Sequence, residues 1–356
     1  MRAAFIEELG PAENIRYGEI APPDPGPTDV LVEVEAVSVN PVDTFVRSGI
    51  FRTPVEFPFV IGRDLVGTVV RAGAGAAGFA PGDRVWCNSL GHGGRQGAAA
   101  ERAVVPVDRL YRLPAAVDAA EAVAVVHPAG TAYLALFTHG RVRPGETVLV
   151  AGAAGNVGSA LIVMAVEAGA RVVATAAARD AEHCRALGAE AVLDYQDPEL
   201  IARVREVSPQ GIDVHIDTSG TNDLAAAVEL LAPRGRIVLL AGARSRPVLP
   251  AGPLYMKDGS LVGFVISHAT AAELAEAAGS INRLLANGKL RARSVERVPL
   301  SEAARTHRRI EDGELHGSRV VLLPEQSKQS EQPKEPEQSE QSEQPKEPTE
   351  PTESVT

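Results

Sequence analysis

Cysteine is nearly absent, Cys87 and Cys184 being the only two among 356 residues. Two thiols build neither a disulfide framework nor the thiolate set of a structural zinc lobe, and the expected setting is a reducing cytoplasm. Positive charge is scarce too. The 35 Lys and Arg stand against 46 Asp and Glu, a net charge of −11, and no basic cluster is long enough to track a phosphate backbone, so nucleic acid is not an expected partner. No run of about 18 uncharged apolar residues is apparent, and the N-terminal Met1-Arg2-Ala3-Ala4-Phe5-Ile6-Glu7-Glu8 carries acids where a secretion signal is apolar. A membrane is therefore not an expected partner either. What the chain does have is 45% hydrophobic residues, enough for a large core divided between two domains.

The composition breaks after Pro324. Residues 325–356 hold nine Glu against three Lys, five Pro and a single large apolar side chain, Val355, and Ser-Glu-Gln-Pro-Lys-Glu-Pro occurs at 330 and again at 342. Such a segment cannot offset its ordering entropy by burial and is expected to be a disordered acidic tail. Within the body, the alternating Val30 to Val39 segment, the β-branched Leu65 to Val70 run and the Pro81-Gly82-Asp83-Arg84 turn before Val85-Trp86 predict a β-rich, barrel-like domain over 1–121. From Ala122 the rhythm becomes strand and helix in alternation. Apolar strands at Thr147, Arg171, Ala191, Ile212 and Arg236, with helices at Asn156–Ala168 and Asp180–Leu187, predict an α/β doubly wound parallel sheet over 122–264. Residues 265–324, with a helix at Ala271–Leu285 and strands near Val295 and Val320, are expected to return to the first domain.

The strand ending at Ala151 runs into Gly152-Ala153-Ala154-Gly155-Asn156-Val157-Gly158 and then a helix, the context in which a glycine turn holds a pyrophosphate against helix N-terminal amides. Ala153 occupies the first position of the usual glycine fingerprint. An NAD-selective site places an acid at the end of the next strand, roughly 20 residues on. Here that strand ends Ala174-Thr175-Ala176-Ala177-Ala178-Arg179, an end without an acid and followed by a cation, which predicts NADPH, although Asp180 is adjacent.

Several pieces then fall in a familiar order: Val39-Asn40-Pro41-Val42-Asp43-Thr44-Phe45-Val46-Arg47-Ser48-Gly49, Ile61-Gly62-Arg63-Asp64-Leu65-Val66-Gly67, Gly130-Thr131-Ala132-Tyr133, the glycine turn, Asp194-Tyr195, and Gly317-Ser318-Arg319-Val320-Val321-Leu322. Over residues 1–324 the chain resembles the zinc-independent, ζ-crystallin-like quinone oxidoreductases of the medium-chain dehydrogenase/reductase superfamily. The resemblance implies a GroES-like β-barrel catalytic domain, a Rossmann domain, a cleft between them for NADPH and acceptor, and a homodimer joined at Rossmann sheet edges through Ser260–Ile266. Zinc-dependent relatives place three ligands where this chain has Asn40, Arg63 and His127, a set unable to hold a tetrahedral zinc. The structural zinc lobe is replaced by Asn88 to Gly97, with His92 its one imidazole. No zinc is expected, and the acceptor must then be electrophilic already, as quinones and conjugated enones are.

The resemblance also implies residue roles. Asn40 lies beside the nicotinamide, its amide donating to the acceptor oxygen; Asp43 orients the loop; Phe45 and Phe51 line the pocket in places where relatives often carry Tyr. His127 is a candidate proton donor, its plain alternative being a packed histidine before Pro128 at a helix start. Thr131 lies near the nicotinamide, the amides of Gly155, Asn156, Val157 and Gly158 hold the pyrophosphate, and Thr175, Arg179 and Tyr195 surround the 2′-phosphate. Ser219, Gly242, Ala243, Phe264 and Val265 border the nicotinamide, and Arg319 stands where relatives often have Lys. Three functions compete on one fold: NADPH-dependent quinone reduction, reduction of an activated C=C bond in an enone, alkenal or enoyl thioester, and a non-catalytic NADPH-binding structural or regulatory role.

Overall fold

The computed structural model describes residues 1–325, so the acidic tail expected from 325 lies, beyond that residue, outside the described residues. The ten-residue strand Asp29–Ser38 organises the β-rich part. It pairs antiparallel with Asp64–Ala72 along its length, with Arg102–Pro106 over its first half, and with Arg319–Leu323 at Val37 and Ser38. Register shifts between Leu31 and Val32 and between Val34 and Ala36 bend the strand, as bulges do, and let the sheet curl into a barrel-like wall. Gly67 is required there: a Cβ would stand 2.2 Å from the Glu33 carbonyl oxygen of the facing strand. The returning strands Val295–Pro299 and Arg319–Leu323 complete this seven-stranded sheet, so the last segment closes the wall that the first began.

Between them lies a six-stranded sheet, wholly parallel. Its spatial order is Ala191–Asp194, Arg171–Ala176, Thr147–Ala151, Ile212–Asp217, Leu231–Leu239 and Ser260–Gly263. Read along the chain this is third, second, first, fourth, fifth, sixth, the Rossmann order, with the direction of winding reversing beside Thr147–Ala151. Val148, Leu149 and Val150 are all buried, as the central strand of a sheet covered on both faces requires.

Three sequence expectations change in detail. The helix expected over Asp180–Leu187 is a 3₁₀ turn at Ala178–Asp180 followed by a helix over Ala181–Ala186. The edge strand expected through Ile266 ends at Gly263, after which the chain turns into a short 3₁₀ segment at Ile266–His268. The third change matters most. His127 and Pro128 lie inside the helix Ala119–Tyr133, capped by the Asp118 side chain and continued by a wider π turn at Leu134–His139. The whole stretch is apolar and long enough to cross a membrane, yet 83% of its most apolar part is buried, packed against the seven-stranded sheet and the helices Asn156–Glu167 and Ala271–Ala286, so it is a core helix.

Candidate active site

At the carboxyl ends of the parallel strands, Gly152 takes a left-handed φ of +75°, and a Cβ on Gly158 would stand 2.4 Å from the Gly152 carbonyl oxygen. The turn is thereby pressed against the helix Asn156–Glu167, whose N-cap Gly155 brings no side chain. Among the described residues no acceptor meets the backbone N–H groups of Asn156, Val157 or Gly158. Three open amides at a helix N-terminus, in a cradle a side chain would fill, fit a dinucleotide pyrophosphate.

The neighbouring strand ends carry the other cofactor candidates. Thr175 is buried, its carbonyl accepting from Ala153 N at 3.1 Å, whereas Tyr195 is exposed and Arg179 projects with 71% of its side chain accessible. Asp180, the acid next to Arg179, turns inward instead. Arg293 donates to it at 2.6 Å and His316 Nε2 lies at 3.1 Å, and these partners, the Arg293 hydrogen bond foremost, hold its carboxyl below the ordinary range. On the other side Ser219 bonds Asp217, Gly242 is at φ +81°, Ala243 and Val265 are exposed, and Phe264 stacks on His139 at 4.4 Å.

Elsewhere, polar side chains from four elements meet in a buried network. Asp64, at the start of its strand, accepts from Ser38 Oγ at 2.7 Å, from Asn40 Nδ2 at 2.7 Å, and lies 3.0 Å from His127 Nδ1. Burial raises its carboxyl, but the His127 imidazole and these hydrogen bonds outweigh that and leave it below the usual value. An ionised Asp64 assigns the proton to Nδ1 of His127, leaving Nε2 without a hydrogen bond among the described residues. Asp43 caps the helix Pro41–Ser48, accepting from Asn40 N at 2.7 Å, and burial together with the Asp64 charge pushes it up to about 6.

Arg319 is drawn into this network and away from a cofactor contact. It donates to Ser38 Oγ, to Asn40 Oδ1 at 2.8 Å and to the Ala124 carbonyl at 2.9 Å. That carbonyl is the one the missing N–H of Pro128 leaves free, so the proline is tolerated within the helix because Arg319 supplies the donor. Asn40 is likewise spent internally: it is 2% exposed, with its carbonyl oxygen on Arg319 and its amide on Asp64 and, at 3.4 Å, Asp43. The expected donation from Asn40 to an acceptor oxygen finds no free N–H here. Thr131 also sits within the helix and donates to the His127 carbonyl at 3.1 Å.

Arg63, the third residue that the resemblance sets against a zinc ligand, is buried beside Asp43. It is 1% exposed, its Nε 3.9 Å from Asp43, and Nε and Nη2 have no acceptor among the described residues. Phe45 is exposed, and Phe51 packs against His92 and His268 with ring centroids 5.5 and 6.0 Å apart. Sequence reasoning missed Asp64 as the hub, although it stands in the quoted Gly62-Arg63-Asp64 motif, and it missed His268, for which no sequence signal exists.

An alcohol dehydrogenase GroES-like domain matches residues 26–115, and a zinc-binding dehydrogenase domain matches 156–282. The human quinone oxidoreductase is 30% identical over 326 residues, 91% of this chain and 98% of its own length. Among solved structures, the Escherichia coli quinone oxidoreductase complexed with NADPH aligns at TM-score 0.78 and 25% identity, over 91% of this chain and 100% of that one. A chain described as an NAD-dependent alcohol dehydrogenase aligns at 0.82 and 31% identity over the same shares. Related along almost its whole described length to such proteins, and built on the same pair of sheets, the chain is an oxidoreductase of the ζ-crystallin-like quinone oxidoreductase branch of the medium-chain dehydrogenase/reductase superfamily.

Proposed function

We propose that the chain reduces quinones with NADPH and without zinc, residues 122–264 holding the dinucleotide and the segments 1–121 and 265–324 the acceptor. The donor set carries this reading. Where zinc-dependent relatives have ligands, Asn40 is bonded to Asp64 and Arg319, Arg63 is a cation, and only His127 has a coordinating nitrogen to offer. Alcohol oxidation needs a polarising metal more than quinone reduction does, because a quinone is already electrophilic. The similarity to quinone oxidoreductases supports the same conclusion.

The chemistry the dinucleotide supplies when bound is hydride donation. A quinone that receives this hydride, two electrons and one proton in effect, becomes the hydroquinone after one further proton. The open amides of Asn156, Val157 and Gly158 are the pyrophosphate donors in this reading, and exposed Arg179, its Nε 3.8 Å from Asp180, is the cation offered to the 2′-phosphate, while Asp180 is chiefly occupied by Arg293 and His316. That arrangement favours NADPH over NADH. With its resident proton on Nδ1 facing Asp64, His127 takes a second proton from solvent on Nε2 and passes that proton to the quinone oxygen, Asp64 stabilising the transiently charged imidazole. Asn40 and Asp43 fix the start of the helix Pro41–Ser48, which carries Phe45 and leads on to Phe51. Leu9, Phe45, Ile50 and Phe57 leave apolar side chains exposed on the β-rich part, which suits a hydrophobic acceptor.

The test is oxidation of NADPH and of NADH at 340 nm by the purified chain, treated with a chelator, with 1,4-naphthoquinone and an alkenal as parallel acceptors. Quinone turnover with NADPH at least about tenfold above NADH in kcat/KM is expected. Preference for the alkenal would transfer the reading to activated C=C bonds, and turnover restored only by added zinc would overturn it.

A further inference from the structure

Phe51, His92 and His268 come from three separate segments and form one aromatic face. The ring centroids of His92 and His268 stand 5.5 and 6.0 Å from Phe51, and 6.4 Å from each other, all tilted by 37° to 54°. The face is held from both sides. Gly93 N donates to Thr53 Oγ1 at 2.8 Å and Gly94 N to the Pro54 carbonyl, which ties the His92 loop to the segment that follows Phe51, while Arg95 donates to the Ser89 carbonyl and closes the loop on itself. Gly91, at φ +62°, sits where a Cβ would be 2.7 Å from the Gly62 carbonyl oxygen, so the loop is pressed against the Arg63 motif. His268 arrives from the sheet edge, and Ile266 before it packs toward Gly130 beside Thr131.

Neither the His92 nor the His268 imidazole makes a hydrogen bond among the described residues, and neither is sealed from solvent. Burial pushes His92 down to about 4, with Arg63 and Arg95 adding to the effect, so its ring is neutral in the physiological range and keeps one N–H donor and one acceptor. Phe45 and Phe51 offer apolar surface and no donor at all. Imidazoles with unspent donors at the edge of an aromatic face supply the two things a planar, electron-poor dicarbonyl needs: a ring to lie against and hydrogen bonds to its oxygens.

Resting on the quinone reading, we infer that Phe51, His92 and His268 form the acceptor clamp, the phenyl ring carrying the quinone plane and the two imidazoles donating to its oxygens. Both histidines are positioning donors for the acceptor, separate from His127 on the core helix.

The experiment compares wild type, His92→Phe, His268→Phe and the conservative His92→Gln in the full chain, measuring KM and kcat for 1,4-naphthoquinone and the NADPH dissociation constant. Each Phe variant is expected to raise the quinone KM about fivefold, the loss of one hydrogen bond, with NADPH affinity unchanged and His92→Gln restoring most of the difference. The unchanged NADPH affinity certifies the fold. Active wild type with the same quinone KM in both Phe variants overturns the clamp alone. Wild type that reduces no quinone overturns the clamp together with the reading it rests on.

Discussion

Asp43 and Asp64 share one buried network and are shifted in opposite directions. Asp64 collects hydrogen bonds from Ser38 and Asn40 and faces the His127 imidazole; Asp43 has the backbone of Asn40, a distant Arg63 and the Asp64 charge. Folded Asp43 keeps its proton up to about 6, whereas the unfolded chain releases it near 3.8. Between these values the native state binds more protons, so the contribution of Asp43 to stability falls as pH rises. Urea unfolding of wild type relative to Asp43→Asn is expected to show that fall between about pH 4 and 6, by at most about 3 kcal/mol. A difference that stays flat across this window would mean that the carboxyl is better solvated than its burial indicates. Asp64 has the opposite sign, and its contribution is lost as pH drops below the ordinary carboxylate range.

At the scale of elements, the core helix Ala119–Tyr133 is held in place by side chains from other segments. Arg319 occupies the Ala124 carbonyl freed by Pro128, and Asn88 Nδ2 donates to the Val126 carbonyl at 3.2 Å. The helix therefore keeps its course past a proline that would otherwise cost about 3 kcal/mol. Replacing Arg319 by Met leaves that carbonyl and the Asn40 amide oxygen without their donor and two buried carboxylates with less compensation. A loss of about 2–4 kcal/mol in urea unfolding is expected. An unchanged midpoint would show that another donor reaches Ala124. The glycine turn works by the opposite means: it holds the dinucleotide helix close by having no side chains in the way.

For the whole molecule, the Rossmann sheet ends on Ser260–Gly263, whose outer edge has no partner strand among the described residues. The nearby surface is apolar, with Val248, Tyr255 and Met256 exposed at 86%, 71% and 73%. An open edge beside exposed apolar side chains invites a second copy. Light scattering after size exclusion is expected to return a homodimer, and Tyr255→Lys with Met256→Lys to shift it toward monomer. A monomeric wild type at micromolar concentration would remove the dimer.

Local pattern and residue type determined a large part of this protein before any coordinate was known. The β-branched alternation of Val30 to Val39, the buried strand at Thr147, and the glycines at 152, 155 and 158 each act through contacts with near neighbours, and the structure has them where their periodicity put them. The expectation that Asn40, Arg63 and His127 hold no tetrahedral zinc likewise rests on side-chain chemistry alone. Only the tertiary structure decided what those side chains do instead. The partners of Asp64 come from residues 38, 40 and 127, the donor for Ala124 comes from residue 319, and His268 meets Phe51 and His92 across the fold. No periodicity encodes such meetings, because they depend on where sheet closure brings distant segments. That is also why Pro128 reads as a helix start in sequence and proves to lie within the core helix, rescued by an arginine nearly two hundred residues away.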